Sequence, residues 1–528
     1  MPQGADGAVT QIAASPAAPL APTATMLSEG GDHRIRTDGP DGVNRYGCPP
    51  DPDETLIAFG SSTASTISAP ALAAAERLRG RLTDSLARAP AAVVYERELD
   101  RVRAELLGLC GLADAGVEVL LAPSGTDLHM LAAQLIGSDP ANPTLAIIAE
   151  ETETGSGVPA ALAGRPYSPL APFGAVADDG EPITGVPAAE VASVSARAAD
   201  GSLRDQDIVD AEVEALASDA ATSGRRVLLV LTDVSKTGLI TPSASVAQRL
   251  AARWPDQVMV LVDGSQMRLS ARALQTYAAA GWLIAVTGSK FLTGPAFSAA
   301  LFIPPRLSGT LGRRVLSPRL RAFSARAEWP HGWTARAQLE PAANFGLLLR
   351  WEAALEELRR FRAAPEAQVR AIAAQFGRSV TDAMAAHPSL EALAGRDPVR
   401  EPTAEDSWDS RATIFPFLMR GDTSAWLSRE QTARVYRLLR EDLSQAAAGC
   451  ADSGVRAAAG LRIDVGQPVP VGARDGTPVS ALRLGLSARL IADVCSGGPG
   501  AAAKLLLNCR QALTKAAWLA GEVSAGRL

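Results

Sequence analysis

The chain has 528 residues, 47% of them hydrophobic, with 51 basic and 57 acidic side chains for a formal net charge of -6. This composition describes a globular protein with room for two or more domains, and its mild acidity argues against a nucleic-acid binder. No apolar stretch approaches the roughly 20 residues that a membrane-spanning helix needs. The five cysteines form no C-x-x-C pair, which fits a reducing cytoplasm, and the four histidines form no ligand-like pair, so no metal site is expected.

Residues 1 to 54 are rich in Ala, Pro, Gly and Asp, and no basic start precedes an apolar core, so they read as a disordered arm and not a signal peptide. Helical periodicity follows over 69–86 and 94–107, the second with Tyr95, Leu99, Val102 and Leu106 on one face. From Val117 an apolar strand runs into Ser124-Gly125-Thr126-Asp127 and then a helical pattern through Leu128, Leu131, Ala132 and Leu135. Strand, small residues and helix start make a phosphate cradle, because free N–H groups and the positive end of the helix dipole favour an anion there. The same tetrapeptide also serves as an ordinary helix cap.

Thr144 to Ala149 predicts the next strand. The following Gly155-Ser156-Gly157-Val158-Pro159-Ala160 has the letters of a dinucleotide turn, but EETET separates it from its strand and Pro159 interrupts it. Residues 164 to 205, rich in Pro, Gly and Asp, read as an insertion of hairpins and loops near a site mouth. A helix over 207–217 and a buried strand over 226–231 then deliver Asp233-Val234-Ser235-Lys236.

Val258 to Val262 is a continuous apolar run ending in Asp263, as expected of a buried parallel strand. Ligands of open α/β sheets bind beyond the carboxyl ends of such strands. A carboxylate there, followed by Gln266, suits a pyridoxal phosphate site, where it holds the pyridine nitrogen protonated; a strand-end Asp capping a turn gives the same pattern. Gly281 to Ile303 then places Lys290 on a small polar turn between two apolar strands. Only Lys236, Lys290, Lys504 and Lys515 are lysines among the 51 basic residues, so arginine does most of the generic surface work. Arginine does not lose its proton to attack a carbonyl, whereas lysine does once burial or a neighbouring charge lowers its pKa. Lys290 is therefore the candidate Schiff-base lysine. Lys236 is a rival at another strand end, but the acid and Gln come after it and it lacks the Gly-Pro loop; it is alternatively a contact for the cofactor or a substrate anion.

The arginine-rich stretch 307–326 reads as an active-site rim, a dimer contact or a solvated loop. A long amphipathic helix follows over 345–361, with Leu348, Trp351, Leu355 and Leu358 on one stripe. A helix over 366–385, a strand over 412–418, a helix over 428–447, strands over 461–465 and 481–486, and a C-terminal helix from Ala501 suit an α+β cap. Arg483 and Arg462 compete for a substrate carboxylate, each with a surface salt bridge as the alternative.

In the order phosphate loop, Asp-x-x-Gln, Lys, these residues resemble the fold type I pyridoxal-phosphate enzymes, and more closely the class V aminotransferase and cysteine desulfurase group, over roughly residues 55 to 495. Val234-Ser235-Lys236-Thr237-Gly238-Leu239-Ile240-Thr241-Pro242, Ser289-Lys290 with Gly294-Pro295, and Leu482 to Ser487 resemble further motifs of that group. The resemblance implies an α/β PLP-dependent transferase (aspartate aminotransferase-like) fold: a large domain over 55–345 with a mainly parallel sheet, and a smaller α+β C-terminal domain over 346–528. It implies pyridoxal 5′-phosphate bound by Ser124, Gly125, Thr126, Thr154, Asp263, Gln266, Ser289 and Lys290, with Lys290 catalytic and Ser62 and Arg483 facing the substrate. It also implies a homodimer, with the arm disordered or wrapped on a partner subunit.

The sequence departs from the group at three places. Ser289 stands where the group has a His before the lysine, Thr154 where it has a ring-stacking His, and Ala342 and Ala343 where it has a Gly and a Thr that reach a partner's phosphate. The expected substrate is a small molecule, an amino acid or amine, and the expected protein a cytoplasmic enzyme without nucleic-acid or membrane partners. Transamination at the α-carbon is expected first and a lyase second: C–S β-elimination, decarboxylation, or desulfuration with Cys450 as the only plausible thiolate. A decayed scaffold is the remaining alternative, against which stands the presence of Lys290, Asp263 and Gln266 together.

Overall fold

The computed structural model describes residues 19–137, 142–176, 182–183, 189–400 and 407–528. The main-sheet strands are, in chain order after β1 (Leu56–Phe59), β2 (Glu118–Ala122), β3 (Leu145–Ala149), β4 (Glu190–Val194), β5 (Val227–Asp233), β6 (Val258–Gly264), β7 (Leu283–Thr287) and β8 (Ala299–Ile303). They lie in the spatial order β2-β8-β7-β6-β5-β3-β4, and a short strand, Ile240–Thr241, pairs with the end of β5. All neighbours run parallel except β8, which is antiparallel to β2 and β7, and the short strand, which is antiparallel to β5.

The continuous apolar runs are explained by burial on both faces. Val227, Leu229 and Leu231 of β5 point into one core, and Leu228 and Val230 into the other. Helices cover each face, giving three layers with the carboxyl ends of the parallel strands along one edge. At that edge Asp263 of β6 lies in register with Thr232 of β5 and Ala285 of β7.

The second sheet is built from β9 (Leu390–Ala392), β10 (Ile414–Met419), β11 (Arg462–Arg474) and β12 (Thr477–Gly485), in the order β1-β11-β12-β10-β9. Its outer strand β1 pairs parallel with β11, Leu56 opposite Arg462 and Phe59 opposite Val465. The segment read as the start of the large domain is thus a strand of the C-terminal sheet, and residues 60–68 pass from it to the main-sheet side. The helix Phe345–Arg362 packs in the same core as Ala69–Leu86 and Ala91–Leu109.

Three further expectations are corrected. Residues 19–54, read as disordered or wrapped on a partner, are ordered against their own chain, with helical turns at Thr23–Leu27 and His33–Ile35; residues 1–18 lie outside the described residues. The Arg350 guanidinium, fully buried, holds this arm by donating to the carbonyls of Glu29 and Gly30 (2.9 Å to Gly30), and to Phe297 O at 2.8 Å on the main-sheet side. Within 164–205, part of which lies outside the described residues, Leu170–Ala171 and Gly174–Ala175 pair as a hairpin as expected, whereas 190–194 form β4 at the edge of the main sheet. The helix expected over 428–447 is Arg429–Leu439, because the buried Lys515 ammonium takes the Leu439, Glu441 and Leu461 carbonyls and turns the chain there.

Candidate active site

The loops at the carboxyl edge of the main sheet, the turn 60–63, the arm and the β11–β12 face enclose a cavity of about 580 Å³. All ten residues singled out from the sequence line it: Ser62, Ser124, Gly125, Thr126, Thr154, Asp263, Gln266, Ser289, Lys290 and Arg483. Lys236 lines it too, whereas Arg462 does not; Arg462 is ion-paired with Asp53 at 2.9 Å. None of the five cysteines, Cys450 included, and no residue of 307–326 is among the lining residues.

Lys290 sits on the turn after β7 and makes no hydrogen bond to a described side chain. Burial, helped by the nearby cations Lys236, Arg483 and Arg268, outweighs the attraction of Asp263 and lowers its pKa to about 8. Asp263 is buried at the end of β6, where its Oδ1 accepts from Ser265 N at 3.1 Å and Ser265 Oγ at 2.5 Å. Its Oδ2 faces His129 Nε2 at 3.5 Å. His129 donates from Nδ1 to the Gly125 carbonyl at 2.7 Å, so its other nitrogen needs a proton to attract Asp263. Burial opposes that charge, but Asp263 and the Gly125 carbonyl raise the imidazole pKa above its usual value. In return His129 and Ser265 overcome the burial of Asp263 and hold its carboxyl well below the usual carboxylate range. The result is an anion fixed at the floor of the cavity.

Ser124 caps the helix Gly125–Ile136 in a reciprocal box: its hydroxyl accepts from Asp127 N at 3.2 Å and donates to Asp127 Oδ2 at 2.6 Å. Its hydroxyl is therefore committed to the fold, and the backbone N–H groups of the first turn face the cavity end with Thr126 beside them. A Cβ on Gly125 would stand 3.0 Å from Ser265 Oγ and press on the hydroxyl that donates to Asp263. Thr154 Oγ1, Gln266 Oε1, Ser62 Oγ and Arg483 Nε are buried without a partner among the described residues, whereas Gln266 Nε2 donates to Ser62 O at 3.1 Å.

His129 was invisible in the sequence because a histidine inside an apolar helix reads as core, and only the sheet brings it to Asp263. The arm was missed as well. His33, Arg34, Arg45 and Tyr46 line the cavity, Arg34 lying over the Phe297 ring at 5.1 Å while ion-paired with Asp32 at 2.6 Å.

No family model matches the sequence, and no curated protein matches it. Among solved structures, a cystine C–S lyase in complex with its product, cysteine persulfide, is 15% identical; 87% of this chain and 98% of that chain are covered, with a TM-score of 0.50. The fold is that of the fold type I pyridoxal-phosphate enzymes. A serine palmitoyltransferase from Sphingomonas wittichii is 11% identical, with 87% of each chain covered and a TM-score of 0.48. A cysteine desulfurase from Thermococcus onnurineus is 12% identical, with 85% of this chain and 93% of that one covered and a TM-score of 0.47.

The cavity fits the cofactor of that fold on its own chemistry. It offers a fixed carboxylate for a pyridine nitrogen, a glycine-lined helix start for a phosphate, a half-buried amine of lowered pKa for the aldehyde, and unpartnered polar atoms between them. Among the described residues no helix is long and apolar enough to cross a membrane, and no group of three or more His, Cys, Asp or Glu side chains is placed to hold a metal ion.

Proposed function

We propose that the chain is a pyridoxal 5′-phosphate-dependent enzyme acting at the α-carbon of an amino acid or related amine, and that its reaction is transamination. The observation that carries this reading is the meeting, in one cavity, of Lys290 with the Asp263–His129 pair and the start of the helix Gly125–Ile136. The cofactor supplies an electron sink for the substrate's α-carbon when bound.

The chain's own residues then have defined work. Asp263, kept ionised by His129, would hold a proton on the ring nitrogen. The N–H groups at Gly125 and Thr126, with the Ser289 hydroxyl, would hold the phosphate, and the Thr154 methyl would cover the ring where the group this sequence resembles has a histidine. Gln266 would face the ring's hydroxyl side with its unpartnered Oε1, since its Nε2 is fixed by donating to Ser62 O. Lys290 Nζ, as a free amine, would take the proton from the substrate's α-carbon and hold it for delivery to the cofactor's aldehyde carbon and not back to the α-carbon, as transamination requires. The shift of Lys290 to about 8 keeps on the order of a tenth of it unprotonated at pH 7, against less than a thousandth for an ordinary lysine. The reading includes a homodimer, as expected from the resemblance.

Desulfuration is disfavoured because it needs a thiolate, and Cys450 lies outside the cavity lining. The test is incubation of the purified, cofactor-loaded chain with a panel of amino acids and 2-oxo acids, followed by product analysis. Transamination predicts a new amino acid from the 2-oxo acid in equal amount to the 2-oxo acid formed from the donor. Release of ammonia, sulfide or carbon dioxide without amino-group transfer would replace it with a lyase.

A further inference from the structure

The related group's arginine, Arg483, is poorly placed to be the sole grip on a substrate acid group. It is 2% exposed, and its Nη2 already donates to Thr63 Oγ1 at 2.8 Å and Gln467 O at 2.7 Å. Its Nη1 leans on Ser62 O at 3.4 Å and on Lys236 O at 3.3 Å. Its remaining donor, Nε, lies 3.0 Å from where a Cβ on Gly466 would stand, so that donor is turned toward β11.

Beside it stands a cation with the opposite character. Lys236 lines the cavity and is half-buried; its Nζ has a single hydrogen bond, to the Glu151 carbonyl at 3.2 Å, and no carboxylate within ion-pair distance among the described residues. Its backbone is rigid: Lys236 N donates to Glu153 O at 2.9 Å, and the residues on either side are pinned to the Glu153 carboxylate, Ser235 Oγ at 2.7 Å and Thr237 N at 3.0 Å. The Glu153 carboxylate is further engaged by Thr237 Oγ1 at 2.5 Å and Arg197 at 3.2 Å, so its acceptors are committed and it does not compete for the Lys236 ammonium. A half-buried ammonium with a fixed root and two or more free donors is an anion site.

We propose that Lys236 is the residue that contacts the substrate's acid group, a carboxylate, and that Arg483 positions the Lys236 loop from behind through the Lys236 carbonyl. The inference rests on the reading of this cavity as a substrate site, and it adds a lysine contact that stands apart from the Lys290 chemistry. Burial and, after it, the neighbouring Arg483 lower the proton affinity of Lys236, and Lys236 in turn adds to the lowering at Lys290.

The experiment is calorimetric titration of the cofactor-loaded chain with succinate, and with uncharged succinamide as control, for wild type, Lys236→Met, Lys236→Arg and Arg483→Lys. Visible absorption on the same samples reports separately whether the cofactor is attached. Succinate affinity is expected to fall at least about tenfold in Lys236→Met and to return to within about threefold of wild type in Lys236→Arg, with the absorption unchanged. Lys236→Arg also guards against a folding defect, since it keeps the charge in a side chain of similar length. Succinate binding unaffected in Lys236→Met, or lost only in Arg483→Lys, overturns the proposal. A wild type without visible absorption overturns the cofactor reading and leaves the succinate comparison to decide Lys236 by itself.

Discussion

Replacing Arg350 with Met should release the arm from the cavity while the two sheets stay folded. Arg350 is fully buried on the helix Phe345–Arg362 and donates to Phe297 O at 2.8 Å, Gly30 O at 2.9 Å and, closely, Glu29 O, with longer approaches to Met26 O and Leu27 O at 3.4 Å. A hydrogen bond from a charged donor contributes about 1.5–3 kcal/mol, so the two close ones that reach the arm, to Glu29 O and Gly30 O, amount to a gross ~3–6 kcal/mol. Burying the guanidinium without a carboxylate offsets part of this, as its lowered pKa of about 9 shows. A net loss of about 2 kcal/mol in arm docking follows, and it raises the population of the detached arm roughly 30-fold. The assay is limited proteolysis with mass spectrometry, mapping cuts within 19–54, beside far-ultraviolet circular dichroism as a check on the sheets. Cofactor affinity should weaken in parallel, because His33, Arg34, Arg45 and Tyr46 leave the cavity wall with the arm. Cleavage of the arm no faster than in wild type would refute the argument that Arg350 holds it.

The remaining predictions concern individual side chains. The rate at which added cofactor becomes attached should rise with pH through about 8, since Lys290 must lose its proton and its pKa is lowered and not raised; a rise centred near 10.5, the ordinary lysine value, would contradict its burial among cations. His129→Leu should let the Asp263 pKa climb and weaken cofactor binding on the order of tenfold or more, most strongly at acidic pH, as read by titration of the visible absorption; a pH-independent affinity would deny the pairing. Glu153→Gln strips the countercharge from buried Arg197 and loosens Ser235 and Thr237, with an expected cost of about 3–5 kcal/mol in denaturant unfolding. Cys450→Ser should leave turnover unchanged, which a persulfide mechanism forbids.

Much of the large domain was legible because its strands are buried on both faces and appear as unbroken apolar runs, and because each delivers its polar residues at the carboxyl end. The strand Val258–Gly264, with Asp263 at its carboxyl end, follows that logic directly. The pairing of Leu56–Phe59 with Arg462–Val465 was not legible, since about four hundred residues separate partners that carry no local signal of each other. The arm was misread for a related reason: its small and polar residues lack a core of their own, and what orders them is a guanidinium more than three hundred positions away. The same limit hid His129, whose charge depends on a carboxylate brought to it by the sheet, and it separated Arg462 from Arg483, two similar strand contexts of which one faces the cavity and the other Asp53. Lys290 was readable because lysine is scarce here and its turn is flanked by buried strands.

The central claim is that Lys290 carries the cofactor. Borohydride reduction of the chain loaded with pyridoxal 5′-phosphate, followed by peptide mass mapping, tests it directly. The account predicts a single reduced cofactor adduct on the peptide containing Lys290, absent from Lys290→Ala. An adduct on Lys236 instead, or none on either lysine while the protein remains folded, would contradict it.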